Sequence, residues 1–350
     1  MFRLTISLIR RGHARRMFLH TKPEIRPKQP GKKGKFQVTI IGLNPVAQSL
    51  SLLLKNHPLV SRIVLYDRPK YTYGVGLDLS HIPSGSIAEG RAGHVGPALL
   101  NADIVCLACG DLRRPGQTDY DLFKVNADLL IHPIQELCRL CPDAFVVDLT
   151  EPVNYTVPLI SRIMETAEAY NKNKVLGVTG VDSMRARARL HRLYDIPELF
   201  KDIHVPVVCG HSASTSVPLV SHVRPWVNID PKGAANIIEF VRESANGMLQ
   251  SGSYRTGQLT AFAGAQTVSA VLNALSGTPD AQIALVANDA YKTKFFASLV
   301  KIKKDGISEI LDFKVISNIE QTYLNQSIEE LAYDVDDAEF YYKEICHKLT

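Results

Sequence analysis

No stretch of this 350-residue chain is long and apolar enough to cross a bilayer, which takes about 20 consecutive apolar residues, so no membrane span is expected. Internal repeats are also missing, which excludes a solenoid or propeller. The six cysteines include two C-x-x-C pairs, Cys106/Cys109 and Cys138/Cys141, the form a zinc site takes. The intervening 28 residues exceed zinc-module spacing. Cys106 and Cys109 also fall in "ADIVCLACG", a strand-like run in which residues three apart face opposite ways. We therefore expect structural thiols and no metal site.

Acidic residues are nearly absent from one region. Residues 1–35 hold eleven Lys/Arg against Glu24 alone, a net of +10, which leaves 29 basic and 34 acidic residues in 36–350, a net of −5. The formal +5 of the whole chain thus belongs to its amino-terminal arm, and a nucleic-acid partner is not expected from charge. The arm is Arg-rich, acid-poor and amphipathic at first, then rich in Pro, Gly and Lys. That composition reads as a mitochondrial targeting segment with a flexible join, and implies a matrix location. A retained basic tail that binds a membrane or RNA is the alternative.

After the arm, strand-like and helical stretches alternate. Strands are expected over 36–42, 62–67, 103–108 and 144–149, helices over 46–56, 95–101 and 121–140. This is the signature of βαβ units around a parallel sheet, hence a doubly wound, Rossmann-like domain over 36–178. The pattern then changes to an Arg-rich helix from Asp182, helices over 232–251 and 258–276, strands over 283–288 and 296–302, and a terminal helix from 317. A mixed α/β domain over 179–350 is the reading. In "RARARLHR", Arg185, Arg189 and Arg192 share a helix face, expected to be mostly solvated.

Glycine is scarce where a dinucleotide fold needs it. "IIGLNPVAQSLSLLLK" supplies Gly42 for the tight turn after the first strand and Ala47 for helix packing, but no middle glycine, and Pro45 removes an N–H from the loop. Asp67, closing "RIVLYD", stands where a carboxylate accepts ribose hydroxyls; alone it reads equally well as a turn residue.

The segments "PVAQSLSLLLKNHPLVSRIVLYD", "GLDLSHIPSG", "RRPGQTDYDLFKVNA", "EPVNYTVPLI", "VLGVTGVDSMRA" and "VPVVCGHSASTSVPL" follow one another in an order that resembles the malate dehydrogenase family, mitochondrial type, over about residues 36 to 340. The resemblance implies NAD as cofactor, with Gly42, Asp67 and Asn126 as cofactor-binding positions, and a dimeric state. It makes His211 the residue that takes the hydroxyl proton of malate and Asp182 its partner. Arg185 matches the arginine that forks onto the reacting carboxylate, and Arg113 the loop arginine that reads the second one. The second loop arginine is replaced by Asp119, and an asparagine that touches cofactor and substrate is replaced by Glu151. Thr260 stands where a methionine covers the nicotinamide.

Oxaloacetate carries two negative charges, so these two acids replace an attraction and a neutral contact with repulsions, each worth about 4 kcal/mol at 4 Å and an effective dielectric near 20. The expectation is a degenerate malate-dehydrogenase-like protein with weak or absent turnover and a structural or regulatory role. It would act as a homodimer, as a heterodimer with a related subunit, or within a larger mitochondrial assembly. The alternative is an active NAD-dependent oxidoreductase on malate or another 2-hydroxy or 2-oxo acid.

Overall fold

The computed structural model describes residues 36–194, 203–252, 257–313 and 315–349; the arm read as a targeting segment lies outside them. Six strands come first: β1 (Phe36–Ile41), β2 (Val60–Tyr66), β3 (Ile87–Arg91), β4 (Ile104–Leu107), β5 (Phe145–Asp148) and β6 (Val175–Val178). They pair in parallel in the order β3-β2-β1-β4-β5-β6. Apolar side chains of β1, β4 and β5 are buried on both faces, which explains why these strands read as largely apolar rather than alternating runs. Cys106 packs into one core cluster and Cys109 into the other, on opposite faces of the sheet.

Helix α1 (Pro45–Lys55) begins at Asn44, whose side chain accepts from the Ala47 N–H at 3.0 Å, with Pro45 in the first helical position. Helix α2 (Thr72–Ser80) and β3 show no apolar period in "TYGVGLDLS" and "IAEGR". The glycines explain them. A Cβ on Gly76 would lie 1.9 Å from the Gly90 backbone N, so the helix touches its strand backbone to backbone. The short α3 (Gly96–Leu99) precedes β4, and α4 (Asp119–Leu140) is capped by Thr118. Helix α5 (Val153–Thr166) then leads to β6.

The second half comprises α6 (Gly180–Tyr194), β7 (Val207–Cys209), β8 (Ser216–Pro218), α7 (Pro231–Gln250), α8 (Gln258–Leu275), β9 (Asp280–Ala287), β10 (Phe295–Lys303), β11 (Gly306–Leu311) and α9 (Asn318–Leu349). β9 pairs antiparallel with β6 through Gly177–Leu285 and Val178–Ala284, so one sheet of eleven strands runs through both halves of the described residues. Helices α6 and α7 pack over a separate apolar cluster that includes Leu190, Ile203 and Ile238. Arg189 of α6 is not solvated as expected: its Nε donates to Asn236 at 2.7 Å and its guanidinium lies 5.0 Å from the Phe240 ring centre. The strand order reverses between β1 and β4, opening a crevice at their carboxyl ends, the usual ligand position in such sheets.

Candidate active site

The site is built around the Asp182 carboxylate, which is 2% exposed in the first turn of α6. One turn of helix places Arg185 above it, and Arg185 Nη1 donates to Asp182 Oδ1 at 2.8 Å. Asp182 Oδ2 lies 2.7 Å from His211 Nδ1 and accepts from Ser216 Oγ at 2.6 Å. His211 follows β7, and its backbone N–H donates to Asn154 Oδ1 at 2.8 Å, which fixes the loop to α5. Burial pushes the Asp182 carboxyl up, but the His211 charge and hydrogen bond, then Arg185, outweigh it and hold the carboxyl below its usual range. Burial likewise pushes His211 down; the Asp182 charge outweighs it and leaves the imidazole a stronger base than usual, with Glu151 adding to the same effect. With Nδ1 held by Asp182, Nε2 remains for a substrate proton.

His211, Asp182 and Arg185 line a cleft of about 70 Å³ together with Arg113, Asp119, Glu151 and Arg242. The structure therefore brings together all six catalytic and substrate-binding positions read from the sequence. Arg185 Nε is buried without an acceptor, and its Nη2 lies 3.6 Å from the Met248 sulfur, a weak acceptor. Arg113 Nη1 sits 3.2 Å from Asp119 Oδ1, and its Nε donates to the Gln117 carbonyl. The Glu151 carboxylate has no hydrogen bond or ion pair among the described residues.

Arg242 was missed in the sequence. Its Nη2 donates to the Ser214 carbonyl at 2.6 Å, its Nη1 to Ser327 Oγ at 3.2 Å, and its guanidinium lies 5.1 Å from the Tyr323 ring centre. Its position on α7, one turn after the buried Ile238 and beside the buried Val241, was the available signal: an arginine on an apolar stripe. Thr260 lies in the first turn of α8 and does not line the His211 cleft.

The three cofactor positions lie at the carboxyl ends of the parallel strands. Gly42 has φ +110, and a Cβ there would meet the Ala108 carbonyl oxygen at 2.0 Å, so the turns after β1 and β4 touch. Asp67 follows β2 directly and is half-buried, with Oδ1 accepting from the Arg68 N–H. Asn126 is fully buried; its Oδ1 accepts from Asp111 N, and its Nδ2 donates to the Asp111 and Glu151 carbonyls. It thereby joins the loop after β4 to the turn after β5. At the α1 terminus Pro45 has no N–H and Asn44 already caps the Ala47 N–H, while Asn44 Nδ2 donates to the Gly110 carbonyl at 3.2 Å across the crevice. These residues fit a dinucleotide: Gly42 lets the turns after β1 and β4 close together at the crevice, and the Asp67 carboxylate stands ready for a ribose. They offer its pyrophosphate fewer N–H groups than an uncapped helix terminus does.

Residues 36–177 match the model of the lactate/malate dehydrogenase NAD binding domain, and residues 179–340 that of the lactate/malate dehydrogenase alpha/beta C-terminal domain. The chain belongs to the lactate/malate dehydrogenase family. It is 34% identical over 317 residues to a malate dehydrogenase of Vibrio campbellii, covering 86% of this chain and 97% of the relative. It is 33% identical over 308 residues to a mitochondrial malate dehydrogenase of Eucalyptus gunnii, covering 86% and 88%. Among solved structures, Cryptosporidium parvum malate dehydrogenase superposes with a TM-score of 0.75 at 24% identity, covering 87% of this chain and 99% of that one. A Cryptosporidium parvum lactate dehydrogenase complexed with lactic acid and nicotinamide adenine dinucleotide gives the same TM-score at 19% identity, covering 87% and 98%. Both show the fold. The first half of the chain is thus an NAD-binding domain of this family.

Proposed function

We propose that this protein is a malate-dehydrogenase-like member of the family whose proton-transfer pair is intact and whose turnover of malate and oxaloacetate is weak or absent. The observation that carries it is the 3.2 Å approach of Asp119 to Arg113. An arginine whose guanidinium faces a carboxylate of its own chain attracts a substrate carboxylate little, and the acid adds a repulsion of its own.

The chemistry the remaining residues support is acid–base work at a 2-hydroxy or 2-oxo acid. Bound NAD supplies or accepts the hydride at the reacting carbon. His211 Nε2 takes the hydroxyl proton during oxidation and returns it during reduction, and Asp182 stabilises the imidazolium formed in between. Arg185 lines the cleft as a cation for the adjacent carboxylate, and Asn126 fixes the two turns that border the site.

A structural or regulatory role is the second reading. Leu52 and Leu53 on α1 and Phe262 on α8 expose 54%, 43% and 48% of their surface on neighbouring helices, which suits a homodimer or a heterodimer with a related subunit. A mitochondrial matrix location is proposed from the composition of residues 1–35 and from the plant mitochondrial relatives, although bacterial relatives are equally similar.

The test is NADH oxidation with oxaloacetate by the purified full chain. We expect a rate at least about a thousandfold below that of an active relative, the scale on which loss of one transition-state donor acts. A rate within about tenfold of the relative would overturn the proposal.

A further inference from the structure

The loop that carries His211 is held from behind by the carboxy-terminal helix. Ser327, Leu331 and Asp334 fall at i, i+4 and i+7 on α9 and so share one face, where Ser327 and Leu331 are fully buried. Ser327 Oγ donates to the Ser214 carbonyl at 2.8 Å, the first contact with the loop. The second passes through Asn154 at the start of α5, which is 1% exposed. Asn154 Nδ2 donates to Asp334 Oδ2 at 2.8 Å and to Thr215 Oγ1 at 3.0 Å. Its Oδ1 accepts from the His211 N–H at 2.8 Å. The Tyr155 hydroxyl, next along α5, also donates to Asp334.

These partners decide which way round the Asn154 amide lies. The Thr215 hydroxyl can donate or accept, so it would take either end. An ionised carboxylate only accepts; it must face Nδ2, and that turns Oδ1 towards the His211 N–H. Burial pushes the Asp334 carboxyl up to about 6, against the bonds from Tyr155 and Asn154, so above that pH it is ionised. Without Asp334 a buried N–H of the amide loses its acceptor and regains one only by turning away from His211. The 2.7 Å contact of His211 Nδ1 with Asp182 depends on where that backbone holds the ring.

We propose that Asp334 is a positioning residue for His211, acting on it through the Asn154 amide. The proposal rests on reading His211 as the proton-transfer residue. Asp334 does not line the His211 cleft, so its effect is on the placement of the ring and not on contacts with a ligand.

The experiment is NMR titration of the His211 ring in the full chain. Asp334→Ala should lower the midpoint by at least about half a pH unit, roughly a threefold loss of proton affinity. Asp334→Asn keeps an acceptor for Asn154, and the Tyr155 hydroxyl can accept from its amide, so it should recover at least about half of that loss. In an Asn154→Ala background, Asp334→Ala should move the midpoint no further, because the link is already cut. Should Asp334→Ala fail to fold, Asp334→Leu fills a similar space without an acceptor and carries the same expectation. The proposal is overturned if the midpoint stays in place, which would leave Asp334 a structural role alone. It is equally overturned if the shift is as large in the Asn154→Ala background, which would mean that the charge acts through space. If Asp182→Asn lowers the midpoint while Asp334→Ala does not, the proposal falls and the reading of the His211 pair stands. If neither moves it, both fall.

Discussion

Asp119 Oδ1 lies 3.2 Å from Arg113 Nη1, with both side chains about a quarter exposed. The ion pair itself adds little to stability, about 1 kcal/mol or less for a pair of this exposure. Its consequence is for binding, because it neutralises one of the three arginines that line the cleft. Asp119→Arg removes the partner and places a second cation one loop away. We expect kcat/KM for oxaloacetate to rise at least about a hundredfold, measured by NADH oxidation, because a lost transition-state donor typically costs that much. An unchanged value would show that Asp119 is not what limits turnover.

The parallel half of the fold was legible because its physics is local. "IVCL" is apolar throughout and "FQVTII" mostly so, since helices cover both faces, and α4 was expected from residue 121, two residues inside its start at Asp119. What escaped was set by contacts between distant segments. α2 and β3 exist because Gly76 and Gly90 let a helix touch a strand, which no window of sequence records. The site followed the same rule. Asp182 and Arg185 are three residues apart on one helix and could be read together. The pairing of Arg113 with Asp119 across a loop, and the arrival of Arg242 from α7, required the fold.

The His211–Asp182 pair predicts a pH dependence. His211 is held above its ordinary value of about 6.5 because the Asp182 charge outweighs burial. Its contribution to stability is therefore present in full below about 6.5 and is lost as pH rises through the higher folded value. Asp182→Asn removes the attraction and should bring His211 down, visible as a lower titration midpoint of its ring resonance in NMR. A midpoint unmoved by the substitution would mean that Asp182 does not set the basicity of His211.

Asp148, fully buried at the end of β5, gives a second and separable dependence. Burial pushes its carboxyl up to about 7, against hydrogen bonds from Thr156 Oγ1 and Thr150 N that favour the charged form. The unfolded value is about 3.9, so the folded state binds the proton more tightly. Stability from the neutral carboxyl is complete below about 4 and declines as pH rises towards 7. Urea midpoints across that window should fall with pH in the unmodified chain and fall less in Asp148→Asn. Equal slopes in the two proteins would place the titration elsewhere.

Gly42 and Gly74 separate two uses of glycine in one domain. At Gly42 φ is +110, and an added Cβ would lie 2.0 Å from the Ala108 carbonyl oxygen, a backbone atom that cannot turn aside. Gly42→Ala must therefore push the β1 and β4 turns apart, and the strained φ adds to that displacement. We expect a loss of about 3 kcal/mol or more and a Tm lower by several degrees. The same movement widens the crevice between the two turns and breaks the hydrogen bond from Asn44 to Gly110, so NADH fluorescence titration should show weaker binding. Gly74 lies in α2 with nothing within 4 Å of the position a Cβ would take. Gly74→Ala should be neutral or stabilising by about 0.5–1 kcal/mol, through the smaller entropy of the unfolded chain and the better helix propensity of alanine. If the two substitutions changed Tm equally, the close approach of the β1 and β4 turns would not be what requires glycine at residue 42.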